Sequence, residues 1–513
     1  MATADPPLGS PVETLVRAAA RWPDVTALVA DDRVLCYGAY RDAAAGLAAR
    51  LSAAGVADRP MVIGLGNSLP MAVAIYAGHA AGAQVCTVNP DYTAREWHHI
   101  LTDAAPAVIV TDTRSAGVLG PEAAALQVPI WVVPDDPGPW LDELIGDGRD
   151  VPLAVPRGDR LATLQYTGGT SGRPKGVELT HAAIARNIEQ REAVLPTLAG
   201  DERILCVMPL FHVFAVSMCL HLSAHCGGSL VLLPRYRPDW VVTALADHRI
   251  TRFPAGPTVF NGLLAFDGMT PAATGSLRCC YSGSAPLSAS TLSRWEALTG
   301  VPIYEGYGQT EAGPILTYHG PGTALKQGSV GRALPETDIQ IVDPGDPERL
   351  LPTGEAGEIR ARGPQIMRGY RHLPEATAEA LRDGWLYTGD IGRLDADGYL
   401  FIEDRKKDMV ITGGFNVYPR EVDEVLSSHP AVAEAAVVGV PDAYRGEILR
   451  AVVVLHAAGE ADVERLAEHC AQQLVRYKRP ARIDIWEALP KTTVGKIDKK
   501  AIRQQFMDDA HVS

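Results

Sequence analysis

No apolar run in this chain approaches the roughly 18 residues needed to cross a bilayer, and the opening stretch MATADPPLGSPVETLV has no basic segment leading into an apolar core. A soluble, unprocessed, cytoplasmic protein is the expectation. Basic residues are also in deficit: 47 Lys and Arg against 61 Asp and Glu give a formal net charge of −14. That balance argues against a broad nucleic-acid or anionic-membrane surface while leaving room for a local cationic pocket. Cysteine is scarce and unpatterned. Its eight copies show no CxxC spacing, lie mostly in apolar runs and include an adjacent pair, Cys279 and Cys280, poorly placed to bridge each other. Buried thiols in a reducing compartment are expected rather than a disulfide framework. Repeats and long low-complexity tracts are missing as well.

What is present is length and alternation. At 513 residues and 47% hydrophobic content, the chain exceeds what one core usually supports, so two or more domains are expected. PMVIGLGN (60–67) reads as a buried strand, LPMAVAIYAGHAAG as a helix, AQVCTVNP as a strand, AREWHHILTDAAP as a helix and AVIVTD as a strand. The rhythm returns through RILCVMPL, GSLVLLP, PDWVVTALADHRI, TRFPAGP and VPIYEGYG, which indicates mainly parallel sheets with helices on both faces. Near Gly328 the texture changes to short alternating strands with turn residues between them, a small antiparallel, barrel-like subdomain. Beyond DRKKD the pattern becomes helix, two strands, helix and strand, a small α+β unit. The fold class is therefore α/β: a large N-terminal lobe over 1–404, a connection at 405–407, and a small C-terminal lobe over 408–513.

The stretch YTGGTSGRPKG crowds glycine, hydroxyls and a lysine into a few positions after a predicted strand, LATLQYT. Free backbone N–H groups and the hydroxyls of Thr167, Thr170 and Ser171 make a concave donor-rich loop suited to phosphate. It is not a Walker loop, because Lys175 is followed by Gly176 and not by a hydroxyl residue. No Ser/His/Asp constellation accompanies it.

YTGGTSGRPKG resembles the phosphate loop of the adenylate-forming (AMP-binding) superfamily. Its companions stand in that superfamily's order: MPLFHVFA (208–215), YSGSAPLS (281–288), YEGYGQTE (304–311), WLYTGDIG (385–392), IEDRKKDMVITGGFNVYPREVD (402–423) and LPKTTVGKIDKK (489–500). The resemblance spans nearly the whole chain and is nearest to the bacterial fatty-acyl-CoA ligases. It implies two half-reactions: acid and ATP give acyl-AMP and pyrophosphate with Mg²⁺, then CoA displaces AMP. A carboxylate is already ionised near neutral pH, so no general base is required, and positioning with charge neutralisation must supply the rate.

The same resemblance assigns residues. Thr167, Gly168, Gly169, Thr170, Ser171, Gly172 and Lys175 would cradle the β- and γ-phosphates, with Thr170 and Glu311 nearest the metal. Ser284, Ala285, Pro286, Glu305, Gly306, Tyr307, Gly308, Gln309 and Thr310 would surround the nucleotide, with Asp390 and Arg405 on the ribose. Lys496 would bridge the substrate carboxylate and the α-phosphate. His212 would gate an acyl pocket lined by Phe214, Pro257, Thr258, Phe260, Gly283, Gly308 and Ile315. Gly413, Gly414 and Phe415 would pass the CoA arm, and the small lobe would turn about Lys407 between the half-reactions. Ile411 and Gly413 replace lysines common in plant and luciferase members, so basic contacts there do not carry over. The pocket set offers no cation for a second carboxylate, which favours an unfunctionalised acyl or aryl acid; the resemblance implies a medium- or long-chain fatty acid, with an aryl or other carboxylic acid as the alternative. Acetylation of Lys496 by an acetyltransferase, reversed by a deacetylase, is a further expectation, and a homodimer is left open. A luciferase, a peptide-synthetase adenylation domain and a non-catalytic ligand sensor share the fold, but nothing here specifies oxygen chemistry or a following carrier domain, and intact phosphate, metal and lysine motifs oppose the sensor.

Overall fold

The computed structural model describes residues 6–30, 33–167, 174–322, 325–412, 415–442, 445–456, 461–492 and 495–512. Three sheets organise these residues, of fourteen, seven and five strands. In the seven-stranded sheet, Pro60–Gly64 pairs in parallel with Gln84–Thr87 on one side and Val108–Asp112 on the other. All five residues of that central strand are buried, as expected where helices cover both faces. The helix Leu69–Ala80 on this sheet is buried along its whole length and is started by the Ser68 hydroxyl, which accepts from the Met71 N–H.

The strands after Gly328 are antiparallel as expected, and they run on from the parallel ones without a break. Ile303–Gly308 is the junction: it pairs in parallel with Cys279–Ser282 and antiparallel with Ile315–Tyr318. From there the fourteen-stranded sheet continues through Ser329–Ala333, Tyr399–Arg405, Trp385–Leu394, Gly357–Arg362 and Asp338–Val342. The large core fills the space between the two big sheets and includes the Phe253, Phe260 and Trp295 cluster.

The small lobe is built on Val432–Asp442 and Gly446–Leu455, which pair antiparallel along their length. Strand alternation sends Val437 to one face, packed with Val417, Leu426 and Leu466, and Ala436 and Val438 to the other, packed with Leu489, Ile502 and Phe506. The closing helix Lys499–Val512 was not anticipated from sequence. Among the described residues, no hydrophobic cluster has members on both sides of the 405–407 connection. Contact across it is polar: the Arg420 N–H donates to Asp404 Oδ2 at 2.9 Å.

Candidate active site

Cross-strand register builds the centre of the site. Asp390 on Trp385–Leu394 faces Arg405 on Tyr399–Arg405, and the guanidinium Nε lies 3.2 Å from the carboxylate. Tyr307, brought in by the junction strand, donates its hydroxyl to the other carboxylate oxygen at 2.6 Å. Burial raises the Asp390 pKa, opposed by Arg405, by the Tyr307 hydrogen bond and by the charges of Lys407 and Lys496.

Lys496 comes from the small lobe, at the end of a tight turn. Its N–H donates to Thr492 Oγ1 at 3.2 Å, and the Thr492 N–H donates to the Lys496 carbonyl at 2.7 Å. Gly495 has φ +77°, and a Cβ there would stand 3.4 Å from Thr258 Oγ1, so the turn reaches the large lobe beside the acyl-pocket candidates. Half-buried in this crevice, the Lys496 ammonium is pushed down to about 8 by burial and by Arg405, with Asp390 pulling the other way. The imidazole of His212 is pushed down to about 3 by burial and by the charge of Lys496. Its Nδ1 accepts from the Phe214 N–H at 3.2 Å, which leaves the proton of the neutral ring on Nε2.

The loop that carries His212 is clamped from behind. Asn67 donates to the carbonyls of Met208 and Leu233 and accepts from the Leu210 N–H, while Thr87 and Gln165 both donate to the Phe211 carbonyl. Phe214 stacks on Tyr281 with 5.6 Å between centroids, and a Cβ on Gly283 would touch its ring at 3.0 Å. At Gly308 a Cβ would lie 1.9 Å from the Pro314 carbonyl oxygen, so only glycine allows the junction strand to approach that segment. Phe260 departs from expectation. It is fully buried, edge-on to Trp295 at 5.0 Å, and belongs to the core rather than to the pocket wall. Ile315 is likewise turned into the core, with Pro257 and Thr258 half-exposed at the mouth.

At the phosphate end, Thr167 and Lys175 are cross-strand partners, which sets the two ends of the glycine-rich connection side by side. Gly168, Gly169, Thr170, Ser171 and Gly172 lie outside the described residues, as do Gly413, Gly414 and the Phe415 side chain. Tyr370, which sequence reading missed, joins the two ends of this region. Its hydroxyl donates to Glu311 Oε1 at 2.8 Å, and the Lys175 ammonium sits 4.7 Å from its ring centroid. Tyr370 reaches them from the short strand Gly369–Tyr370, paired with Lys175–Thr180.

Elsewhere around the nucleotide candidates, Ser284 holds φ +70°, a conformation costly for a residue with a Cβ, in the segment running on to Ala285 and Pro286. Glu305 is pushed up to about 7 by burial, with Arg420 of the small lobe opposing. Gly306 packs against Tyr281 and Tyr318, and Gln309 and Thr310 lead into the turn carrying Glu311. Lys407 is exposed, in the turn that follows Arg405. Among the described residues no group of three or more His, Cys, Asp or Glu could cage a metal. Glu311 offers a single hard carboxylate, which fits Mg²⁺ held largely by phosphate oxygens rather than by protein.

Lys496 of the small lobe is thus brought to the charges of Asp390 and Arg405 and to the imidazole of His212 in the large one. Residues 15–371 match the AMP-binding enzyme family and residues 421–496 the AMP-binding enzyme C-terminal domain. The chain is 36% identical over 535 residues to the long-chain-fatty-acid–CoA ligase of Bacillus subtilis (strain 168), covering 97% of this chain and 95% of that one. Feruloyl-CoA synthase from an Amycolatopsis species is 36% identical over 494 residues, covering 96% and 98%. Among solved structures, ATP-bound MatB from Rhodopseudomonas palustris superposes with a TM-score of 0.91 at 31% identity, covering 97% and 99%. The chain belongs to the AMP-binding enzyme family. Within that family it is an acyl-CoA ligase of the AMP-forming type.

Proposed function

We propose that the protein activates a medium- or long-chain fatty acid, first as its acyl-adenylate and then as its CoA thioester. The observation that carries this reading is the convergence of Lys496 from one lobe on Asp390, Arg405 and His212 of the other. In the first half-reaction the acid carboxylate attacks the α-phosphorus of ATP and pyrophosphate leaves. No proton has to be removed, and the negative charge gathering on the transferring oxygens is met by the Lys496 ammonium. Asp390 and Arg405 hold the ribose, and Tyr307 orients Asp390. Lys175 and the glycine-rich connection hold the departing phosphates. Mg²⁺, when held by Glu311, neutralises phosphate charge, and Tyr370 fixes the carboxylate that would hold it. In the second half-reaction the small lobe turns at Lys407, which withdraws Lys496 and brings the segment around Gly414 toward the adenylate. The CoA sulfur then attacks the carbonyl carbon and AMP leaves.

The test separates the halves. Lys496→Ala should reduce acyl-AMP formation, read as ATP–pyrophosphate exchange, on the order of a hundredfold or more, while largely keeping the conversion of supplied acyl-AMP and CoA to thioester. Equal loss of both would remove Lys496 from the adenylation step. Aryl acids belong in the same assay, because the feruloyl-CoA synthase relative is as similar as the fatty-acid ligase. The eight unpaired thiols, seven of them buried, suit the reducing cytoplasm proposed as its location. Half-buried Lys496 is also the proposed acetylation site: acetylation would remove its charge, and a mass spectrum of cell-derived protein carrying only unmodified Lys496 would dismiss that idea.

A further inference from the structure

Behind the acid pocket, between the two large sheets, lies a cavity of about 30 Å³, room for one or two waters or for the tip of a chain. Val213, between His212 and Phe214, and Pro314, next to Ile315, line it, so it lies beside the candidate acid pocket. Its walls mix apolar side chains with Thr87, Thr163 and Gln165 and with His79, Ser217 and His221, the last three no more than 4% exposed. Their partners do not add up. Nδ1 of His79, both ring nitrogens of His221 and the hydroxyl oxygen of Ser217 are buried and find no hydrogen-bonding partner in the protein. Buried polar atoms are nearly always paired, and several bare ones around one small space call for an occupant that pairs them. Thr87 and Gln165, which also face this cavity, are satisfied: they bond to each other and to the Phe211 carbonyl.

The chemistry of His79, Ser217 and His221 is neutral. Burial, aided by Arg191, pushes His221 down to about 3, and burial holds His79 well below its usual range, so neither ring is charged at neutral pH. One nitrogen of His79 donates to the Ala162 carbonyl, which leaves Nδ1 as an acceptor, while His221 and Ser217 each offer a donor and an acceptor. The nearest cation, Arg191, donates to the carbonyls of Asn187 and Ser217 and does not line the cavity. A second carboxylate would enter unpaired. A hydroxyl both donates and accepts, and fits.

We propose that this cavity receives a hydroxyl group on the tail of the acid, bonded by Ser217, His221 and His79, and that the enzyme prefers hydroxylated acids over their unsubstituted parents. The proposal rests on the ligase reading and narrows its substrate. Where the sequence favours an unfunctionalised acid because the pocket lacks a cation, the cavity keeps that exclusion of charge and adds a neutral polar end.

The experiment measures kcat/KM in ATP–pyrophosphate exchange for matched acids. Hexanoic, octanoic, decanoic and dodecanoic acids are compared with their ω-hydroxy and ω-carboxy analogues, and cinnamic with 4-hydroxycinnamic acid. For the length that reaches the cavity, the hydroxy acid should exceed its parent by about tenfold and the dicarboxylic acid should fall below both. Ser217→Ala, which removes one oxygen, and His221→Phe should each bring the hydroxy-to-parent ratio close to one. Because that ratio is taken within each variant, any general loss of activity cancels. A wild type that prefers the parent at every length, or a hydroxyl preference that survives both substitutions, overturns the proposal. If no acid supports exchange, the ligase reading falls and takes this one with it.

Discussion

Lys496 can act on developing negative charge only while it is protonated. Its pKa near 8 is set by burial and Arg405, so the active ammonium is present below that pH and lost above it. In adenylation, kcat/KM for ATP should therefore fall as pH rises through about 8, approaching tenfold per unit. The thioester half-reaction should lack that limb, because Lys496 has withdrawn. In Lys496→Arg, whose guanidinium stays charged, any residual activity should lose the limb; a limb that persists belongs to another group. Tyr370→Phe removes the hydroxyl on Glu311 but keeps the ring beneath Lys175. A hydrogen bond to a charged group contributes about 1.5–3 kcal/mol. Adenylation should drop about tenfold and need more Mg²⁺ for half-maximal rate; an unchanged Mg²⁺ titration would mean that Tyr370 does not position the metal carboxylate. Lys496, Asp390, Arg405 and Glu311 were readable as candidates because each sits inside a contiguous motif. Tyr370 was not, since it lies 59 positions from Glu311 and meets it only through the pairing of Tyr370 with Val177, a long-range register that no local pattern carries. Phe260 was misread for a geometric reason: two residues beyond Thr258 on the helix Pro257–Leu264, it points about 200° away, into the core.

At the scale of elements, alternation of apolar strands and helices showed the parallel sheets, and the shift to short alternating strands showed the antiparallel ones. Partners in space were hidden. Nothing local indicates that Ile303–Gly308 would be shared by both kinds of pairing, or that this sharing would carry Tyr307 to Asp390. On the proposed mechanism, the turn after Arg405 is the element on which the two half-reactions depend. The Asp408 and Met409 N–H groups both donate to the Arg405 carbonyl, which defines one backbone path between the lobes. The structure brings Lys496 close to Arg405 and Asp390; on the proposed mechanism that arrangement serves adenylation, and the other half-reaction requires a different path through the same residues. Lys407→Pro pins one φ angle and restricts Lys406 as well. It should hold the lobes in one arrangement and lower thioester formation from acyl-AMP well below adenylation. Normal turnover of both halves would place the pivot elsewhere.

For the molecule as a whole, the cost of lobe rotation is decided by what lies between the lobes. Each has its own core, and no hydrophobic cluster among the described residues crosses the connection, so turning the small lobe exposes little apolar surface. The contacts that must break are polar and readily replaced by water, such as Arg420 to Asp404. The same separation makes a prediction about stability that does not depend on catalysis. If the interface contributes little, the lobes should unfold in two calorimetric transitions, and a defect in one core should leave the other transition in place. Phe506 is buried in the small-lobe core against Trp486, their rings 5.5 Å apart. Truncating a buried Phe costs about 3–5 kcal/mol, so Phe506→Ala should lower the small-lobe transition by roughly 15 °C or more. Trp295→Ala should do the converse in the large lobe. A single transition that moves as a unit with either substitution would mean that the polar interface carries much of the stability, and rotation about Lys407 would then be too costly to occur in every catalytic cycle.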